Sequence, residues 1–267
     1  FFNIFYKRNI DKPSLGALPE MLSKGKPVNF EDPAEDDVFG LGTRGDISWK
    51  GLLDMTSCTE CGRCQSQCPA WNTEKPLSPK LLITAMRDHA FAKAPYLLAL
   101  SEDQKAALTD EQRAEAEKSL IGDIITPDVL WSCTTCGACV NQCPVDIEHV
   151  DHIVNMRRHQ VLVESDFPTE LGGTFRNLES KGNPWGMNSS QRNDWITELD
   201  FEVTVLDGPI APEVEYLFWV GCAGAYEDRA KKTTKAVAEL LHRAGVTFGV
   251  LGEGETCTGD PARRAGN

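Results

Sequence analysis

The sequence predicts a mainly α fold: a helical domain that carries two cysteine runs, followed by a partial α/β domain. Three observations predict it. The run Cys58–Cys68 recurs at Cys133–Cys143. The interval between the runs holds capped, amphipathic stretches. From residue 214 a short apolar strand, a helix and a second strand follow one another.

The chain has 267 residues, 41% of them hydrophobic, with 40 acidic against 27 basic side chains and a net charge of −13. That is enough apolar residue for a core, with a polar, loop-rich share beside it. The acidic balance repels phosphate backbones and argues against a nucleic-acid partner. It serves solubility, or offers a docking face to a basic partner. No signal peptide and no apolar run of about 18 residues is visible.

Residues 1–50 read as an arm and linker. The chain starts on Phe1 rather than Met, so its start reads as cut. Phe1-Phe2-Asn3-Ile4-Phe5-Tyr6-Lys7-Arg8 is either an ordinary apolar segment or the cytoplasmic exit of a transmembrane helix. In the second reading an aromatic belt meets two cations, and the arm is juxtamembrane. Its densest acidic stretch is Glu31-Asp32-Pro33-Ala34-Glu35-Asp36-Asp37.

Residues 51–165 form the helical cysteine domain. Ser78-Pro79 reads as an N-cap with proline in the first helical position, and Leu81, Leu82, Ala85, Met86 and His89 make a stripe behind it. Ser101 with Gln104, and Thr109 with Gln112, read as capping boxes. Ile147, Val150, Ile153, Val154 and Val161 mark a further amphipathic helix. Residues 166–212 have weak periodicity and a turn at Asn183-Pro184-Trp185-Gly186, and read as a connecting segment.

Residues 213–267 read as a truncated α/β domain. Val214–Val220 and Val246–Leu251 are strands, and residues 227–244 are a helix with Gly245 at its C-cap. This is a βαβ unit with a parallel pair. Two strands are too few to bury both faces, so the end also reads as cut.

The two runs match at eight of twelve positions, at an offset of 75. Both have the spacing C-x2-C-x2-C-x3-C-P. Three cysteines two residues apart wrap one iron–sulfur cube, and the fourth reaches the other cube. The spacing assigns Cys58, Cys61, Cys64 and Cys143 to one [4Fe–4S] cluster. Cys133, Cys136, Cys139 and Cys68 go to a second. Gly62 and Gly137 follow the second cysteine of each run, where a side chain would crowd the cluster and the backbone must turn. Pro69 and Pro144 hold the preceding cysteine extended. Zinc is the alternative, in a structural interaction module, but it gives no reason for the third cysteine or for the proline. Sixty-four residues separate Cys68 from Cys133, and their helical pattern makes this an α-helical ferredoxin. Arg63 against Ala138 breaks the repeat. A cation beside a cluster favours its reduced state, so Arg63 predicts the higher potential for the Cys58 cluster, unless it only solvates the surface.

Cys222 and Cys257 lie past the two predicted strands, at the edge where open α/β sheets place their sites. They read as two ligands of a third metal centre, or as buried thiols acting as small hydrophobes. His149, His152 and His159 read as polar groups on a solvated or docking face. There is no Ser–His–Asp arrangement, no P-loop and no complete dinucleotide fingerprint.

Two such runs on a helical domain, then Gly221-Cys222 and Glu255-Thr256-Cys257-Thr258-Gly259, resemble the heterodisulfide-reductase-like iron–sulfur proteins of the CCG-domain family. That family includes iron–sulfur subunits of glycolate oxidase and of anaerobic glycerol-3-phosphate dehydrogenase. In it, Cys222 matches an early cysteine and Cys257-Thr258-Gly259 a Cys-Cys-Gly, with Thr258 in place of one cysteine. The departure puts the family's third, noncubane centre in doubt. The aromatic–basic start, with Arg229, Lys231, Lys232 and Asp260-Pro261-Ala262-Arg263-Arg264, is similar to a bacterial branch fused to a membrane domain. The resemblance implies a flavoprotein donor (electron-transfer flavoprotein), a menaquinone acceptor and haem b in the membrane domain. It places the chain on the cytoplasmic side of the cell membrane. A thiol–disulfide reductase with Cys222 and Cys257 as its centre is the second enzyme reading.

Overall fold

The computed structural model describes residues 18–99 and 101–267; the aromatic–basic opening lies outside them. The architecture is mainly α. The chain divides into two compact units: one reaches Asp166 and includes Arg264–Asn267, the other spans Phe167–Arg263.

In the first unit a small antiparallel hairpin, β1 (Leu22–Ser23) and β2 (Lys26–Pro27), precedes the helices. Helix α1 (Trp49–Ser57) starts where the Ser48 side chain accepts the Gly51 N–H. Short helices α2 (Arg63–Ser66) and α3 (Pro69–Asn72) follow within and just after the first cysteine run. Helix α4 (Pro79–Leu98) is capped by Ser78 as expected. Its buried face is Leu82, Ile83, Met86 and Ala90, while Leu81 is 51% exposed. Of the expected stripe, Leu82, Met86 and His89 are buried and Ala85 packs against the core; only Leu81 lies outside it. Both capping boxes form, at the starts of α5 (Glu102–Ala106) and α6 (Asp110–Glu117). Then come α7 (Pro127–Trp131), α8 (Ala138–Gln142) and α9 (His149–His159). Met55, Leu82, Ile83, Met86, Leu130, Ile153 and Met156 share one core, so α1, α4, α7 and α9 close on each other. Among the described residues no helix is long and apolar enough to cross a membrane.

The second unit begins with residues that read as a connector. They carry α10 (Thr169–Lys181), a 3-10 helix over Ser189–Glu198 and strand β3 (Thr204–Val205). Strands β4 (Tyr216–Leu217) and β5 (Phe248–Val250) pair in parallel, as the βαβ pattern predicts. β3 adds a third parallel strand on the other side of β5. Between β4 and β5 run α11 (Gly221–Tyr226) and α12 (Asp228–Arg243). Trp195 from the 3-10 helix is 1% exposed and packs edge-on to Phe218. It shares a core with Ala238 of α12 and with Phe248 and Val250 of β5. The last helix is α13 (Asp260–Ala265).

Candidate metal centre

The two cysteine runs fold alike, residue for residue. Glu60 and Thr135 both take a left-handed backbone, φ 56° and 54°. Gly62 and Gly137 do the same at 78° and 76°. A Cβ at Gly62 would meet no protein atom within 4 Å. The turn, rather than packing against the protein, therefore calls for glycine here. Each glycine starts a short helix, α2 or α8, that carries the third cysteine. Cys68 and Cys143 are then extended, with ψ 119° and 118°, as the following proline requires.

This geometry brings the thiols into two groups. Cys58, Cys61 and Cys64 line one cavity together with Cys143. Cys68 and Cys136 are the thiols that press on Cys133, and Cys133 and Cys136 press on Cys139. The third cysteines of the two runs also meet: Cys64 acts on Cys139, and both sit in one apolar cluster with Val140, Val150 and Val154.

Backbone N–H groups aim at the sulfurs. Thr135 donates to Cys133 Sγ and Ile147 to Cys143 Sγ, each at 3.3 Å. Such donors favour the thiolate, the form that ligates iron. Burial works the other way: it pushes the Cys64 thiol up to about 11 and raises Cys133, Cys139 and Cys143 as well. As free thiols they are neutral, and a cation must hold them deprotonated. Among the described residues no three metal-binding side chains converge on a point that a single ion would occupy. The donor set is all sulfur, fed by N–H groups and spread around a space. It fits iron–sulfur cubes.

Several residues at the site are not where the sequence placed them. His149 and His152, read as a solvated face, are 1% and 7% exposed. His149 lines the Cys58 cavity, its Nδ1 has no hydrogen-bond partner, and burial pushes its ring down to about 4. His152 Nε2 lies 3.4 Å from Asp54 Oδ2. Asp54 also pairs with Lys50 and accepts the Glu148 N–H at the start of α9. Burial raises the Asp54 carboxyl, but His152 and Lys50 outweigh it and hold it below the usual carboxylate range. His159 is half-buried and pairs with Glu164 at 3.3 Å.

Arg63 is exposed at the start of α2. Two cations of α9 are buried instead, Arg157 and Arg158, for which the sequence carries no local signal. Arg158 donates to Asn155 Oδ1 and Pro19 O, and Arg157 reaches the second cysteine run. Arg157 donates through Nη2 to Leu130 O at 2.9 Å and Cys133 O at 2.7 Å, and through Nη1 to Arg264 O at 3.1 Å. Its guanidinium lies 5.0 Å over the Trp131 ring. Arg264 in turn donates to Thr135 Oγ1 at 2.9 Å.

In the second unit Cys222 sits in α11 rather than at the end of a strand. Cys257 follows the 3-10 turn after β5 and donates its N–H to Gly182 O at 2.7 Å. Both cysteines are free thiols, and Cys257 is among the groups that act on Cys222. Arg192 and Glu255, both buried, form an ion pair beside them at 3.1 Å. Glu255 also accepts the Val220 and Gly221 N–H groups. Two thiols are an incomplete ligand set, and no third cysteine or histidine joins them among the described residues.

A helical domain with two four-thiol groups, ahead of an α/β unit with a thiol pair, defines an iron–sulfur electron carrier with a cysteine-rich domain. Comparison with known proteins agrees. Residues 57–147 match the 4Fe-4S dicluster domain and residues 216–267 the Cysteine-rich domain. The chain is 44% identical to the EtfAB:quinone oxidoreductase of Syntrophomonas wolfei, over 87% of this chain and 34% of that protein. It is 34% identical to a probable membrane-anchored ferredoxin of Chromohalobacter salexigens, over 91% of this chain and 36% of that one. It is 28% identical to one subunit of the dihydromethanophenazine:CoB–CoM heterodisulfide reductase of Methanosarcina acetivorans, over 80% of this chain and 48% of that one. The chain thus spans about a third of the length of the first two of these relatives. The chain belongs to the heterodisulfide-reductase-like iron–sulfur oxidoreductases. Its part there is iron–sulfur electron transfer.

Proposed function

We propose that this chain holds two [4Fe–4S] clusters and passes electrons from a flavoprotein toward a quinone at a membrane. Cys58, Cys61, Cys64 and Cys143 hold one cluster, and Cys133, Cys136, Cys139 and Cys68 the other. The observation that carries this reading is the single cavity lined by three thiols of the first run and the last thiol of the second. The clusters, when bound, supply one-electron transfer. The chain does the rest. The crossed fourth cysteines fix the two loops against each other. Val150 and Val154 fill the wall beside Cys64 and Cys139 and keep water from it. The N–H groups of Thr135 and Ile147 hold negative charge at sulfur.

The partners rest on the relatives. One is named for electron-transfer flavoprotein and quinone, another for a membrane anchor. With electron-transfer flavoprotein as donor and menaquinone as acceptor, the chain works at the cytoplasmic side of the cell membrane. This reading places any haem b in a membrane domain and not in residues 18–267. The test is anaerobic. Reduced electron-transfer flavoprotein is mixed with the full-length protein in menaquinone-containing vesicles. Bleaching of the iron–sulfur absorbance, followed by quinol formation, supports the reading. Bleaching without quinol removes the quinone step.

A second reading, thiol–disulfide reduction, has one observation in its favour. Cys222 and Cys257 face each other as free thiols beside the buried Arg192. Reduction of a small disulfide that survives Cys136→Ala and is lost in Cys222→Ala would support it.

A further inference from the structure

The geometry points to Arg157 as the residue that makes the Cys133 cluster the more readily reduced of the two. The inference rests on the two-cluster reading above. Arg157 is 5% exposed and always charged. Its guanidinium is held on three backbone carbonyls, one of them that of the ligand Cys133. Carbonyls satisfy its hydrogen bonds but carry no net charge. The ionisable group that Arg157 feels is Cys133, charged once it ligates iron, and no carboxylate pairs with Arg157 among the described residues. A buried cation without a counter-charge is costly. Four thiolates around a cube are anionic, so the cluster itself is the counter-ion that the fold provides. Adding an electron makes that anion more negative. A buried cation stabilises the product more than the reactant, and burial weakens solvent screening. The potential of the Cys133 cluster is therefore raised.

The other cluster lacks an equivalent. The charges that line its cavity are Lys80, half-buried, and Glu60, which pairs with Arg87 at 2.9 Å; none of the three is fully buried. Arg63, the cation that the sequence singled out, is exposed and screened by water. The expected order of potentials is thus reversed. Electrons collect at the Cys133 cluster.

The test is a potentiometric EPR titration of the intact protein, its R157Q and R157K variants, and Cys136→Ala to mark which signal belongs to which cluster. Two reducible signals and full iron content in the unmodified protein test the two-cluster reading separately. The inference expects the signal lost in Cys136→Ala to be the one reduced first. It expects R157Q to shift that signal alone to lower potential, and R157K to keep most of its position. Loss of the cluster in R157Q but not in R157K also supports a charge role. Three results overturn the inference: the opposite order of potentials, an unshifted R157Q, or loss of the cluster in both variants. The last would make Arg157 a scaffold residue.

Discussion

Arg192 Nη2 lies 3.0 Å from Cys222 Sγ and donates to it, while Nη1 of the same guanidinium holds Glu255. One buried side chain thus ties a thiol to a carboxylate from the far side of the second unit's sequence. Glu255 answers by accepting two backbone N–H groups at the start of α11. The arrangement fixes where the Cys222 sulfur points.

Removing one partner of this pair leaves a buried charge unmatched. Glu255→Gln is therefore expected to destabilise the second unit by about 3 kcal/mol or more. Urea denaturation checks it: a loss below about 1 kcal/mol would mean that the pair is not shielded from water.

Cluster assembly is expected to depend steeply on pH. Burial holds the Cys64 thiol up at about 11, and Cys133, Cys139 and Cys143 are raised too. Without iron these ligands are protonated at neutral pH, and only the thiolate binds. Binding therefore releases protons, and affinity rises as pH rises. Anaerobic reconstitution of iron-depleted protein at about pH 6 and about pH 8 should load more completely at the higher pH. Equal loading would contradict the burial argument.

Val154 is fully buried in one apolar cluster with Cys64 and Cys139. Val154→Ala is expected to cost about 2 kcal/mol, from lost burial and from the cavity left behind. It should also shorten the life of the brown absorbance in air, because water and oxygen then reach both clusters. An unchanged lifetime would show that the wall does not gate access.

Legibility in the sequence followed locality. The caps at Ser78, Ser101 and Thr109 depend on residues three apart, and all form. The cysteine loops are equally local, and their two copies agree in backbone angles to within a few degrees. What depends on tertiary packing was hidden. Arg157 and His149 look like the polar side of an amphipathic helix, and the cysteine loops bury them anyway. Trp195 is a lone aromatic in a polar 3-10 helix with no usable period, yet it anchors the second core. β3 is two residues long and gains its strand character from β5 alone. Arg192 and Glu255 are 63 positions apart, so nothing in the sequence links them.

The central claim is that Cys143 belongs to the first run's cluster. The most direct measurement compares EPR spectra and iron content of reduced Cys143→Ala, Cys61→Ala and Cys136→Ala proteins. The account predicts that Cys143→Ala loses the signal lost in Cys61→Ala and keeps the one lost in Cys136→Ala. The Cys61/Cys143 double variant should then lose nothing further. If Cys143→Ala instead matches Cys136→Ala, the two runs are independent sites and the crossed assignment is wrong.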